Sequence, residues 1–153
     1  NTIVSKTIGR KRSRRVIKQV AHGCILSAGV TGIIAFPFLC FPSVFLAPLL
    51  NNTNNEIYSN CVPFFPLLYL ILLMASVSVI MFNGVSGTGE TMKALNIQII
   101  CSVCYLTFCY YSITNPQSMG LYGAWWSEFI YWAVQGLLSW YILRTEKWAL
   151  LKI

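Results

Sequence analysis

The chain has 153 residues, of which 56% are hydrophobic and only 10% charged, and it holds no aspartate. That balance excludes an ordinary water-soluble domain. The formal charge of +7 does not indicate nucleic acid, which needs cations spread over a solvated face; seven of the eleven Lys/Arg crowd into the first 18 residues and the rest flank apolar runs.

Taken in order, residues 1–19 are predicted to be the end of a preceding helix, stopped at Gly9, followed by a basic cytoplasmic segment centred on Arg10-Lys11-Arg12-Ser13-Arg14-Arg15. The chain begins at Asn1 with no signal-peptide pattern, so it is expected to be a piece of a longer protein. The first span is predicted over residues 20–50. At 1.5 Å per residue it would reach about 46 Å, against a hydrocarbon thickness of about 30 Å. Tilt or kinks at Pro37, Pro42 and Pro48 are expected to absorb the excess. Ala28 and Gly32, four residues apart, suit close approach by another helix.

A polar loop, Asn51-Asn52-Thr53-Asn54-Asn55-Glu56, comes next; its glycosylation sequon is one that an asparagine-rich loop produces by chance. The second span is predicted over 62–82, with Pro63 and Pro66 in its first turns, where a missing donor costs little. Then comes Asn83-Gly84-Val85-Ser86-Gly87-Thr88-Gly89-Glu90-Thr91, ahead of a third span over 94–113. Gly84, Gly87, Gly89, Glu90 and Thr91 are expected to form a structural turn at a membrane surface, with Lys93 beside it. The spacing from Gly84 to Gly89 matches a phosphate-binding Walker loop. However, Glu90 stands where that loop needs lysine, and a carboxylate there repels phosphate. A turn at 114–118 leads into a fourth span over 121–143.

All eleven Lys/Arg fall in segments 1–19, 84–93 and 144–153, and none in 51–61 or 114–120. The positive-inside rule therefore puts both ends in the cytoplasm. Tyr122, Trp125 and Trp126 would mark the outer interface, and Trp140, Tyr141 and Trp148 the inner one.

The chemistry-bearing residues are few. Glu128 is the one carboxylate inside any predicted span, and an unpaired intramembrane charge costs at least about 2.5 kcal/mol. With Tyr131, Trp132, Gln135 and Ser139 it follows helical 3,4-spacing and shares one face. Glu128, Tyr131, Gln135 and Ser139 are the candidate substrate or coupling-ion residues. The competing reading is a neutral Glu128 hydrogen-bonded to another helix or snorkelling outward. Gln98, Ser102, Tyr105, Cys109 and Ser112 form a second polar stripe, and Ser76, Ser78 and Asn83 a third, of the kind that bonds helices together. Cys101-x-x-Cys104 has thiol-exchange spacing but lies mid-span, where cysteine packs as a small hydrophobe. No metal-ligand cluster is expected.

Four stretches carry a family resemblance. Val4-Ser5-Lys6-Thr7-Ile8-Gly9 with the following cations, the turn through Glu90 and Thr91, Gly120-Leu121-Tyr122-Gly123-Ala124-Trp125, and the basic, tryptophan-bearing end from Tyr141 to Trp148 resemble, in order and spacing, the last third of multidrug and toxic compound extrusion (MATE) transporters. The resemblance implies an all-α polytopic bundle whose four spans form part of the second of two six-helix bundles. It further implies efflux of small organic, often cationic, xenobiotics by antiport with H+ or Na+, with no cofactor and no covalent catalysis. The bilayer and the remaining helices of the transporter would be its partners, and the bacterial cytoplasmic (inner) membrane its location. Some members bind the cation through an Asp on helix ten; the matching positions here are Ala75-Ser76-Val77-Ser78, without a carboxylate. Two rivals stay open: a lipid-linked oligosaccharide flippase of the same superfamily, and a four-helix membrane thiol oxidoreductase using Cys101 and Cys104. A small dimeric four-helix exporter is disfavoured, since the first span has no acid.

Overall fold

The computed structural model describes residues 2–9, 14–46, 59, 61–114 and 121–145. Among these there is no strand. The helices are α1 (Thr2–Gly9), α2 (Arg14–Cys40), α3 (Pro42–Leu46), α4 (Phe65–Gly87), α5 (Thr91–Thr114) and α6 (Leu121–Arg144). A 3-10 turn at Val62–Phe64 leads into α4. Three segments, Arg15–Cys40, Val62–Gly87 and Thr91–Thr114, are long and apolar enough to cross a membrane. α6 has 24 residues, as α5 does, and carries Ser127, Glu128, Gln135 and Ser139 within its apolar run.

The prolines act differently from one another. α2 continues through Pro37, whose ring removes the donor that would have met the Ile33 carbonyl. The helix closes when the Phe41 N–H bonds the Pro37 carbonyl at 2.9 Å. Phe41 is not helical, and Pro42 opens α3, a position where its fixed φ is already right. Pro48, the 51–56 loop, residues 115–118 and the cations Arg10, Lys11, Arg12, Lys147 and Lys152 lie outside the described residues, as does Trp148.

The long helices do not pack in chain order. α4 lies against α2 on one side and α6 on the other, and α6 lies in turn against α5. α4 and α5 are joined by a short turn yet share only a small contact. The apolar core gathers at the end bearing the basic residues, where Val16, Val20, Val85, Ala94, Ile97, Cys101 and Leu143 meet. α1 docks there too: Ser5 Oγ donates to the Gly87 carbonyl at 3.1 Å and Thr7 Oγ1 to Gln19 Oε1 at 2.8 Å.

The connection between α4 and α5 is shorter than the glycine content predicts. Gly84 and Gly87 are the last turn of α4, and only Thr88-Gly89-Glu90 reverses the chain. Gly84 is there for packing: a Cβ on it would sit 3.0 Å from Val20 Cγ2 and 3.3 Å from Leu143 Cδ1. Gly89 is the residue that needs glycine's backbone freedom, at φ +88°. Thr88 Oγ1 caps back to the Val85 carbonyl at 2.7 Å. Glu90 precedes the N-terminus of α5, where a negative charge is favourable, and pairs with Lys93 at 2.5 Å. Thr91 belongs to the helix itself.

Candidate functional site

α6 carries polar residues because it is flanked on two sides. The edge facing α5 presents Tyr131, which accepts a hydrogen bond from Gln98 Nε2 and meets the Tyr105 ring edge-on at 6.2 Å. The two stripes read separately from the sequence, one on α5 and one on α6, thus join at this bond. The edge facing α4 presents backbone: Ser78 Oγ donates to the Trp132 carbonyl at 2.6 Å. That contact requires Gly136, since a Cβ there would fall 2.8 Å from Ser78 Oγ. Ser76, two residues away and so on the other side of α4, bonds its own Leu73 carbonyl, and its backbone oxygen accepts from Ser27 of α2 at 3.4 Å.

Between these edges lie Gln135 and Ser139. Gln135 is 3% exposed and Ser139 fully buried, yet Gln135 Oε1 and Ser139 Oγ have no hydrogen-bond partner among the described residues. They stand one helical turn apart, so the two open positions are about 6 Å apart along the axis. An orphaned acceptor in this setting costs about 1–3 kcal/mol, which a water or a cation would relieve. Glu128 sits two turns toward the other end of the same face; it is half-buried, and no ion pair reaches it among the described residues. Ser127, fully buried beside it, donates back to the Ala124 carbonyl.

The arrangement is an acceptor-rich strip inside a helical bundle: a carboxyl, a phenol, an amide oxygen and a hydroxyl in sequence along α6. Each of these oxygens can accept a hydrogen bond or face a cation. Among the described residues no group of three or more His, Cys, Asp or Glu gathers to hold a metal. The Tyr131, Gln135 and Ser139 positions come together as their spacing predicts. Ser78 bonds a neighbouring helix as its stripe suggests; the sequence does not show that the partner is the α6 backbone, nor that Gly136 is the glycine that lets it approach. A small residue four positions before the Trp140 girdle was the available signal.

Cys101 lies in the core, fully buried, and Cys104 is half-buried; all six cysteines are free. Thiol exchange needs a reachable thiolate, so this pair is built for packing.

Ala28 and Gly32 border a groove on the α2–α4 seam, where the Tyr69 hydroxyl donates to the Gly32 carbonyl at 3.5 Å, at the limit for such a bond. The close approach expected of that pair is reached only through Tyr69 and Leu73 side chains.

Compared with known proteins, the chain gives no significant match to a curated protein or to a solved structure. The MatE family model matches residues 1–111, a stretch that takes in α1 to α4 and most of α5. The resembling stretches at 4–9 and 83–91 and three helices long and apolar enough to cross a membrane fall within or largely within that match, which extends over well more than half of the sequence. The chain belongs to the MatE family of membrane transporters.

Proposed function

We propose that this chain is the C-terminal part of a secondary active efflux transporter, exporting small organic, often cationic, compounds in exchange for H+ or Na+. It would sit in a bacterial cytoplasmic membrane with α6 as the fourth span and both ends of the chain on the cytoplasmic side, working without cofactor or covalent catalysis. The observation that carries this reading is the acceptor strip of α6, Glu128–Tyr131–Gln135–Ser139, with two buried oxygens unmatched by protein donors. Alternating-access transporters place their cation sites on such polar interruptions of membrane helices. In this proposal Glu128 is the group that binds the coupling ion, and Gln135 and Ser139 supply neutral oxygens deeper in the bundle. With no carboxylate at Ala75-Ser76-Val77-Ser78, α6 is, among the described helices, the one that carries an acid.

The test is efflux of a cationic dye by the full-length protein reconstituted in liposomes, driven by an imposed pH or sodium gradient. Glu128→Gln is expected to abolish gradient-driven efflux while the protein still inserts and binds dye, and Gln135→Leu to reduce it. Unchanged driven efflux in Glu128→Gln would remove the residue from coupling.

A further inference from the structure

We propose that the groove between α2, α4 and α6 at the basic end of the bundle holds one acyl chain of an anionic phospholipid, its phosphate bound by Arg144. The groove has a volume of about 430 Å³ and is walled by residues including Val20, Ala21 and Cys24 of α2, Met81 of α4, and Trp140 and Leu143 of α6. Arg144 is its one charged lining residue; the rest are apolar. Water needs two to four polar partners to occupy such a space, and this one supplies none away from its mouth. Hydrocarbon is the occupant its walls can accept.

The charge at the mouth selects which lipid. The Arg144 guanidinium stacks 5.1 Å from the Trp140 ring centroid, and no carboxylate among the described residues pairs with it. A guanidinium laid on an aromatic face keeps its in-plane donors for a planar or tetrahedral oxyanion, and phosphate is the oxyanion a lipid offers at that depth. Arg15 and Lys18 are exposed on the same first turns of α2 that line the groove through Ile17. Cations at a bilayer surface concentrate anionic headgroups. Tryptophan near a helix end sits at the headgroup level, which sets the phosphate and the guanidinium at the same height.

Two other grooves sharpen the assignment. One of about 380 Å³ lies on the α4–α6 seam, bounded by Met74, Val77, Gly136 and Leu137, and another of about 450 Å³ lies between α2 and α4 around Gly32 and Phe36. Neither has a charged residue in its lining. Both fit hydrocarbon chains without headgroup choice, so only the Arg144 groove discriminates. The inference rests on membrane residence alone and is independent of the transport reading.

The experiment uses the full-length transporter, delipidated in detergent and titrated with dioleoyl phosphatidylglycerol or dioleoyl phosphatidylcholine, with bound lipids counted by native mass spectrometry. Wild type is expected to retain a phosphatidylglycerol molecule more tightly than phosphatidylcholine. Arg144→Gln is expected to weaken phosphatidylglycerol retention about fivefold, and that of phosphatidylcholine, whose choline cation offsets the same phosphate, by less, so that the preference is lost. Ala21→Phe, on an exposed face of α2, narrows the groove and is expected to displace the tightest-bound phosphatidylglycerol while leaving Arg144 in place. Equal retention of the two lipids by wild type, or an Arg144→Gln protein with wild-type preference, overturns the proposal. So does undiminished phosphatidylglycerol binding by Ala21→Phe.

Discussion

α2 and α6 are helices of similar length that solve opposite problems. α2 turns a broad row of large apolar side chains outward, with Ile33 77% and Ile25 74% exposed, and buries few of them. α6 instead buries Ser127, Gln135 and Ser139, and is not among the segments apolar enough to be recognised as a span. In water the more buried helix would be the greasier one. In a bilayer the surroundings are already hydrocarbon, so apolarity marks the helix facing outward, and polarity marks the one enclosed by neighbours that can answer it. The buried polar residues of α6 therefore follow from its place between α4 and α5.

The contrast can be broken most severely at the centre. Gly84→Leu pushes a branched side chain into Val20 and Leu143; it is expected to cost about 3 kcal/mol or more and to lower the midpoint of thermal aggregation in detergent by several degrees, read by size-exclusion chromatography after heating. Gly136→Ala should cost about 1–3 kcal/mol by striking Ser78 Oγ. Adding Ser78→Ala should recover most of that loss. A double-mutant cycle showing strict additivity would mean that the two residues do not meet. Gly89→Ala, at the turn, forces a side chain into left-handed backbone and is expected to cost about 1 kcal/mol. At the small end, Ile33→Ala on the outward face of α2 should move stability by no more than about 0.5 kcal/mol. A loss of 2 kcal/mol there would show that a helix, and not lipid, covers Ile33.

The class of fold was legible because bilayer thickness, apolar run length and the sidedness of Lys/Arg are properties of the linear chain. The face shared by Tyr131, Gln135 and Ser139 was legible for the same reason, since helical spacing alone fixes it. The lateral order of the helices was not. Nothing local in 94–113 says that its polar stripe meets α6 and not α4, which adjoins it in the sequence. The glycine-rich turn misled in an instructive way. Three glycines in six positions read as a loop, yet Gly84 serves helix contact and only Gly89 serves the reversal, and a small residue looks identical in the sequence in either role. Which of the prolines interrupts the first span was not legible either: α2 continues through Pro37, while the break falls at Phe41, where Pro42 opens a new helix.

The three-residue reversal at Thr88-Gly89-Glu90 joins two helices that scarcely touch, and this has a consequence for how the protein is made. Without α6, α4 and α5 have little to hold them side by side, and Ser78 and Gln98 lose their partners on that helix. α6, which follows both in the chain, is the helix that fills the space between them. α6 is thus a keystone inserted after the arch, and a nascent chain halted before residue 121 would hold its legs together by little more than the apex.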